Sequence, residues 1–255
     1  MAKHFKQTTR KTRRLIYIVL IALIIIAAIY IIFFIKGRND TIQESNALNN
    51  VQIDESKVDI QTTERMLQVQ ELQKENSDVV GWIEIEGTNI SYPVLQGTDN
   101  SYYMTHNYKK EEAKDGSIFL DKDYDWTIPS SNLLMYGHNM GDGAMFQDLL
   151  KYEDEEFYNQ HPIIRFTTAT DDAEYEIISA FKSRVYYKSE KNVFRYYYFI
   201  NVTDEEEYND FVNNAKEVSF YDTGKTAEYG DQLITLSTCS YHTEDGRFAV
   251  VARKK

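Results

Sequence analysis

A mainly β fold, with one helix ahead of the strands and another set before the last two, is what this chain predicts. Short apolar runs of strand character, separated by glycine-containing or polar turns, recur from Val79 to Ala252. Apolar residues at helical spacing stand out around Met66–Leu72 and again around Tyr208–Ala215. At 255 residues and 42% hydrophobic, the chain buries one good core, so the strands are assigned to a single domain.

The N-terminal end comes first. Residues 1–14 hold six basic side chains and no acidic one, against a net charge of −12 for the whole chain. They abut an uncharged apolar segment, Leu15–Ile35. A bilayer span takes about 20 such residues, so 15–35 is expected to be a single transmembrane helix. A cleaved signal peptide has an apolar stretch of only about 7–15 residues ending at a small-x-small site, whereas bulky Ile and Phe close this one. By the positive-inside rule the expected localisation is the cell membrane, single-pass, with residues 1–14 a cytoplasmic tail and the rest outside. Residues 36–61 are polar without sustained periodicity and read as a stalk, leaving 62–255 as the domain.

Residues 62–78 then read as an amphipathic helix, with Met66, Val69 and Leu72 on one side and Glu64, Arg65, Gln68, Glu71 and Lys74 elsewhere. Strands follow at 79–85, 89–95 and 116–121, and Pro93 puts the second at an edge or bulge, because proline has no N–H for a central ladder. A short apolar run from Asn132 ends in Gly137 and delivers His138 to a glycine-containing loop. A helix is expected over 144–152, then strands at 163–167 and 175–181, and a dense aromatic set between Arg184 and Ile200, read as core packing rather than a substrate wall. Thr203 opens a capping box for a helix presenting Tyr208, Phe211, Val212 and Ala215. The last strands are 233–239 and 248–252.

Function classes narrow from composition. The acidic balance argues against nucleic acid, since phosphate binding needs a basic face. One cysteine leaves no internal disulfide and no zinc site built on paired cysteines. Asp121-Lys-Asp-Tyr-Asp125 opens like a calcium loop, but Trp126 stands where the glycine belongs and Asn132 where the glutamate does. No metal or cofactor is expected.

The chemistry converges on Cys239, at the polar end of its strand, where a purely structural cysteine would more often lie inside the apolar run. A thiol titrating near 8.5 needs nearby positive charge to become a nucleophilic thiolate. Arg247, at the start of the next strand, and a histidine are the candidates to supply it. Ser237 faces the same side of the strand as Cys239 and is a candidate substrate contact.

Thr235-Leu-Ser-Thr-Cys239 resembles the Thr-Leu-x-Thr-Cys signature of the sortases, cysteine transpeptidases of Gram-positive cell surfaces, and Arg247 fits that family's arginine. The Gly-Trp-Ile run at 81–83, Tyr-Pro-Val at 92–94, Gly-Ser-Ile-Phe-Leu-Asp at 116–121 and the late helix are similar to the class B branch. Tyr-Gly-His-Asn-Met at 136–140 resembles the family's histidine segment, which selects His138 among the five histidines. The resemblance covers about residues 65–252 and implies a closed sortase-type β-barrel of about eight strands.

It also implies catalytic roles for His138, Cys239 and Arg247, and substrate contacts at Asn100 and Met104. The implied partners are secreted proteins with a C-terminal Asn-Pro-x-Thr-type sorting signal and an amine of a peptidoglycan precursor. A cysteine peptidase using water as acceptor, and a non-catalytic surface binding module with a structural cysteine, stand as the other classes.

Overall fold

The computed structural model describes residues 16–21, 23–32, 35–36, 63–128 and 132–255. It divides into two compact units, residues 1–50 and 51–255. In the first, the described residues are helical over 16–21, 23–32 and 35–36. Among the described residues no helix is long and apolar enough to cross a membrane. This corrects the transmembrane helix expected at 15–35, and with it the single-pass localisation and the membrane as a partner. Spanning about 30 Å of hydrocarbon at 1.5 Å per residue takes about 20 continuous helical residues, more than any described stretch here supplies. The tail at 1–14 and residues 37–61 of the stalk lie outside the described residues.

The second unit opens with helix α1, Glu64–Glu75, capped by the Thr63 hydroxyl, which accepts from the Met66 N–H. The helix stops short of the expected Asp78 because Asn76 turns extended and sends its side-chain amide to the Tyr108 carbonyl at 2.6 Å and the Tyr103 hydroxyl at 3.1 Å. Gln68, assigned to the polar side, is buried with Met66, Val69 and Leu72. Arg65 fastens the helix, pairing with Glu84 at 2.9 Å and lying 4.4 Å over the Trp82 ring.

Eight strands close a barrel: β1 (Val79–Glu84), β2 (Ser91–Leu95), β3 (Ile118–Leu120), β4 (Asn132–Tyr136), β5 (Ile163–Thr167), β6 (Asp172–Arg184), β7 (Leu233–Cys239) and β8 (Gly246–Lys254). Around the barrel the order is β1-β2-β3-β4-β7-β8-β6-β5. Pro93 opposes Trp82 of β1, while pairing with β3 begins only at Val94, so the proline sits where β2 has one neighbour. The expected helix at 144–152 is instead a 3₁₀ helix, Gln147–Glu153, followed by the short α2, Glu155–Gln160, with Asp154 capping the latter.

Strand alternation sorts the core into two layers. Ile83, Val94, Leu120, Met135, Phe166, Ile177, Leu236 and Val250 belong to one buried cluster that draws on all eight strands and is therefore the barrel interior. Leu134, Leu233, Ala249 and Val251 point the other way and pack beneath Tyr208, Phe211, Val212 and Ala215 of α3, Glu205–Glu217. That helix is capped by Asp204, one residue later than expected, because its carboxylate accepts from Glu207 N–H.

The chain between β6 and α3 lies on the same outer face. Asn132 donates to the Phe199 carbonyl at 2.8 Å and accepts from Thr235 at 2.8 Å, and Phe199 stacks on Phe211 at 3.9 Å. A wholly buried amide satisfied on both sides fixes that segment against the barrel wall.

Candidate active site

The site follows from strand register. β4 and β7 run parallel with Tyr136 opposite Ser237, and β7 and β8 run antiparallel with Cys239 opposite Arg247. His138 lies two residues beyond Tyr136, as Cys239 lies two beyond Ser237. His138, Cys239 and Arg247 therefore form one row across three neighbouring strands, on the outer face that carries Leu134, Leu233 and Ala249.

The β4–β7 pairing is carried past the end of the ladder by side chains. The Thr238 hydroxyl donates to the Gly137 carbonyl at 2.8 Å and Asn139 Nδ2 donates to the Cys239 carbonyl at 2.9 Å. Gly137 N–H donates to the Ser237 carbonyl at 3.2 Å. A glycine is needed there: a β-carbon on Gly137 would come within 2.4 Å of Ile118 and 2.7 Å of Phe146.

The row opens on a cavity of about 260 Å³. Cys239, His138, Arg247, Asn100, Met104 and Ser237, the six residues singled out from the sequence, all line it. Cys239 is partly buried, so its thiol is neither sealed in the core nor fully solvated. His138 Nε2 lies 2.7 Å from the Met104 carbonyl oxygen. A carbonyl only accepts, so that nitrogen carries a hydrogen and the ring is held by the loop before β3. Arg247 Nη1 donates back to the Gly246 carbonyl at 2.9 Å and the Asp245 carbonyl at 3.3 Å, which braces the guanidinium along one edge. Ser237 shares a 2.7 Å hydrogen bond with the buried Tyr196 hydroxyl.

Among the described residues the other three histidines lie elsewhere. His106 stacks on Tyr102 at 4.0 Å, His161 packs on Phe157 at 4.5 Å, and His242 pairs with the Ser240 hydroxyl at 2.9 Å in an exposed turn.

Sequence reasoning missed several lining residues. Phe119 and Tyr136 lie in runs that carry the family resemblance but have no role of their own there, and Val185 comes from the start of the segment that holds the aromatic set. Tyr196 and Tyr197, read as core packing, line the cavity, although Tyr196 is also wholly buried. The sequence offers no role for Asp121 beyond the strand run at 116–121 and a calcium loop that Trp126 and Asn132 rule out. Asp121 is buried, and its Oδ2 accepts from Asn100 Nδ2 and from the Tyr136 hydroxyl, both at 2.8 Å. Burial first, and the Asp121 charge second, push the Tyr136 phenol well above its ordinary value, with Arg247 pulling the other way. Burial likewise raises Tyr196, opposed by its bond to Ser237 and by Arg247. Both phenols therefore stay neutral beside the thiol.

The chain is similar to known proteins. Residues 83–255 match the family model described as the sortase domain. The chain is 36% identical over 185 residues to sortase B of Listeria monocytogenes, covering 72% of each. A Staphylococcus aureus sortase B–substrate complex superposes with a TM-score of 0.64 at 31% identity, covering 74% of this chain and 84% of that one. A sortase B complexed with triglycine superposes with a TM-score of 0.71 at 29% identity, covering 86% of this chain and 97% of that one.

Proposed function

The chain belongs to the sortase family, in its class B branch, and from that premise we propose how this cysteine transpeptidase of cell-wall anchoring works and what it acts on. The row formed by His138, Cys239 and Arg247 at one cavity is the observation that carries the reading.

Cys239 is the nucleophile. As a thiolate it attacks the carbonyl carbon of the threonine in an Asn-Pro-x-Thr-type sorting signal; the C–S bond forms and the carbonyl oxygen takes up negative charge. Arg247 is permanently charged and cannot act as a base, so its role is to stabilise that oxyanion or hold substrate backbone. Collapse of the intermediate breaks the peptide C–N bond, and His138 gives its proton to the departing amine. An acyl thioester remains. The amine of a peptidoglycan precursor then attacks it, His138 takes back a proton, and the thiolate leaves with the new amide bond made. No cofactor enters the balance.

A substrate and triglycine, held by relatives of this chain, support a sorting peptide and an amine acceptor here. Asn100, Met104 and Ser237 are assigned to the peptide because they line the same cavity as Cys239. The test is to incubate the full chain with a quenched Asn-Pro-x-Thr-containing peptide, with and without triglycine. A ligated product that depends on triglycine is expected. Cleavage indifferent to triglycine would replace the reading by a peptidase using water, and no cleavage across a peptide panel would replace it by a binding module.

A further inference from the structure

Asp121 is a buried carboxylate behind the cavity wall, in contact with the lining residues Asn100 and Tyr136, that no step above uses. Its position is held by its backbone, whose N–H donates to the Leu134 carbonyl at 2.8 Å and whose carbonyl accepts from Gln96 Nε2 at 3.1 Å. Its side chain takes three donors. Oδ1 accepts from the Asp123 N–H at 2.9 Å, while Oδ2 accepts from Asn100 Nδ2 and the Tyr136 hydroxyl. A carboxylate accepts only, so both cavity-lining groups must turn a hydrogen toward it.

The consequence for each group differs. A phenol has one hydrogen, so with that hydrogen on Asp121 the Tyr136 oxygen can only accept from whatever fills the cavity. Asn100 is held at both ends, since its Oδ1 also accepts from the Lys122 N–H at 2.8 Å. Its carboxamide cannot flip without setting donor against donor at Lys122 and acceptor against acceptor at Asp121. What it offers a ligand is its second N–H. Without Asp121, Tyr136 would serve equally as donor or acceptor.

We propose that Asp121 is a positioning residue that sets the polarity of the peptide-binding wall, making Tyr136 an acceptor and Asn100 a donor, so that the sorting peptide must present an N–H to the first and a carbonyl to the second. This rests on the transpeptidase reading above and adds to it which substrate atoms are selected. A buried polar group left unpaired is costly, so a peptide without the matching hydrogen is rejected more strongly than one of merely different shape.

The experiment is steady-state ligation, by the full chain, of an Asn-Pro-x-Thr-containing peptide to triglycine, repeated with peptides N-methylated at each backbone amide in turn and with the leading asparagine changed to aspartate. At one of these positions, loss of the N–H is expected to raise KM for the wild-type chain by about tenfold, the cost of one mismatched hydrogen bond. Tyr136→Phe, which has no acceptor, should not discriminate that peptide from its parent. Asp121→Asn should raise KM for the parent peptide by a similar factor with a much smaller change in kcat. Adding Asp121→Asn to Tyr136→Phe should cost less than the product of the two single effects, because they act through one contact. The peptide series in the wild-type and Tyr136→Phe chains decides the matter even if Asp121→Asn fails to fold. No position at which those two chains differ, or strictly multiplicative losses, overturns the inference alone. No turnover of any peptide by the wild-type chain overturns the transpeptidase reading and this inference with it.

Discussion

Cys239 and Arg247 are Cα partners at the turn end of the β7–β8 hairpin, and the β4–β7 register, whose last pair is Tyr136 with Ser237, carried two residues on, sets His138 level with Cys239 on the other side. Thiol and guanidinium are thus held on two paired strands, and the imidazole by the loop leaving β4, which Gly137 and Asn139 tie to β7. Cys239→Ala should abolish ligation and leave the circular dichroism unchanged. His138→Ala should lower kcat by about 10²–10⁴-fold, the range for a lost proton-transfer group. Arg247→Lys should recover little, since a point charge does not replace a braced planar fork.

Thr238 and Asn139 extend that register beyond the ladder. Thr238→Val keeps shape but leaves the Gly137 carbonyl without its 2.8 Å donor, at a cost of about 1–3 kcal/mol in urea denaturation. Thr238→Ser should restore most of it. Asn139→Ala removes the amide that reaches the Cys239 carbonyl, and its larger effect should be on kcat rather than KM.

Gly116 sits at a φ of +57° beneath the turn that presents the Met104 carbonyl to His138. A β-carbon there would meet the Tyr103 carbonyl oxygen at 2.5 Å and the Met104 oxygen at 2.6 Å, so backbone must move. Gly116→Ala is expected to destabilise by about 1–3 kcal/mol and to lower kcat by moving the Met104 carbonyl away from the His138 ring. A kcat identical to wild type would show that the Met104 carbonyl does not govern the ring.

Acid stability should depend on Glu176 of β6. Its hydrogen bond to Lys225 at 2.7 Å, outweighing burial and assisted by Arg253, holds its carboxyl below the ordinary glutamate range. A depressed folded-state value means the stabilisation is present above the unfolded value, about 4.3, and is lost as pH falls through the folded one. Glu176→Gln should therefore flatten the fall in unfolding free energy below about pH 4.3, measured by denaturant titration across that range.

Much of this site was legible because its signals are local. Cys239 and Arg247 flank one turn, so the two apolar runs around Ser240–Asp245 bring them together by hairpin geometry alone. Apolar alternation marked most strands, and Pro93 marked the place where β2 lacks a neighbour. The same local logic failed where a partner far along the chain decided the outcome. Gln68 is polar yet buried, and the helix after Asn76 ends for the sake of carbonyl and hydroxyl partners near residue 105. The apolar count at 15–35 predicted a span that the described helices do not make.

From the chain alone came a β-rich domain, a cysteine at a strand exit and an arginine across the turn from it. Which histidine joins them needed either family resemblance or the fold, because β4 meets β7 from about a hundred residues away and only the parallel register fixes His138 beside Cys239. The tertiary structure alone decided that Asp121 faces Asn100 and Tyr136. A carboxylate's role depends on which donors surround it, and those donors come from strands and loops whose meeting is set by the closed barrel rather than by neighbours in sequence.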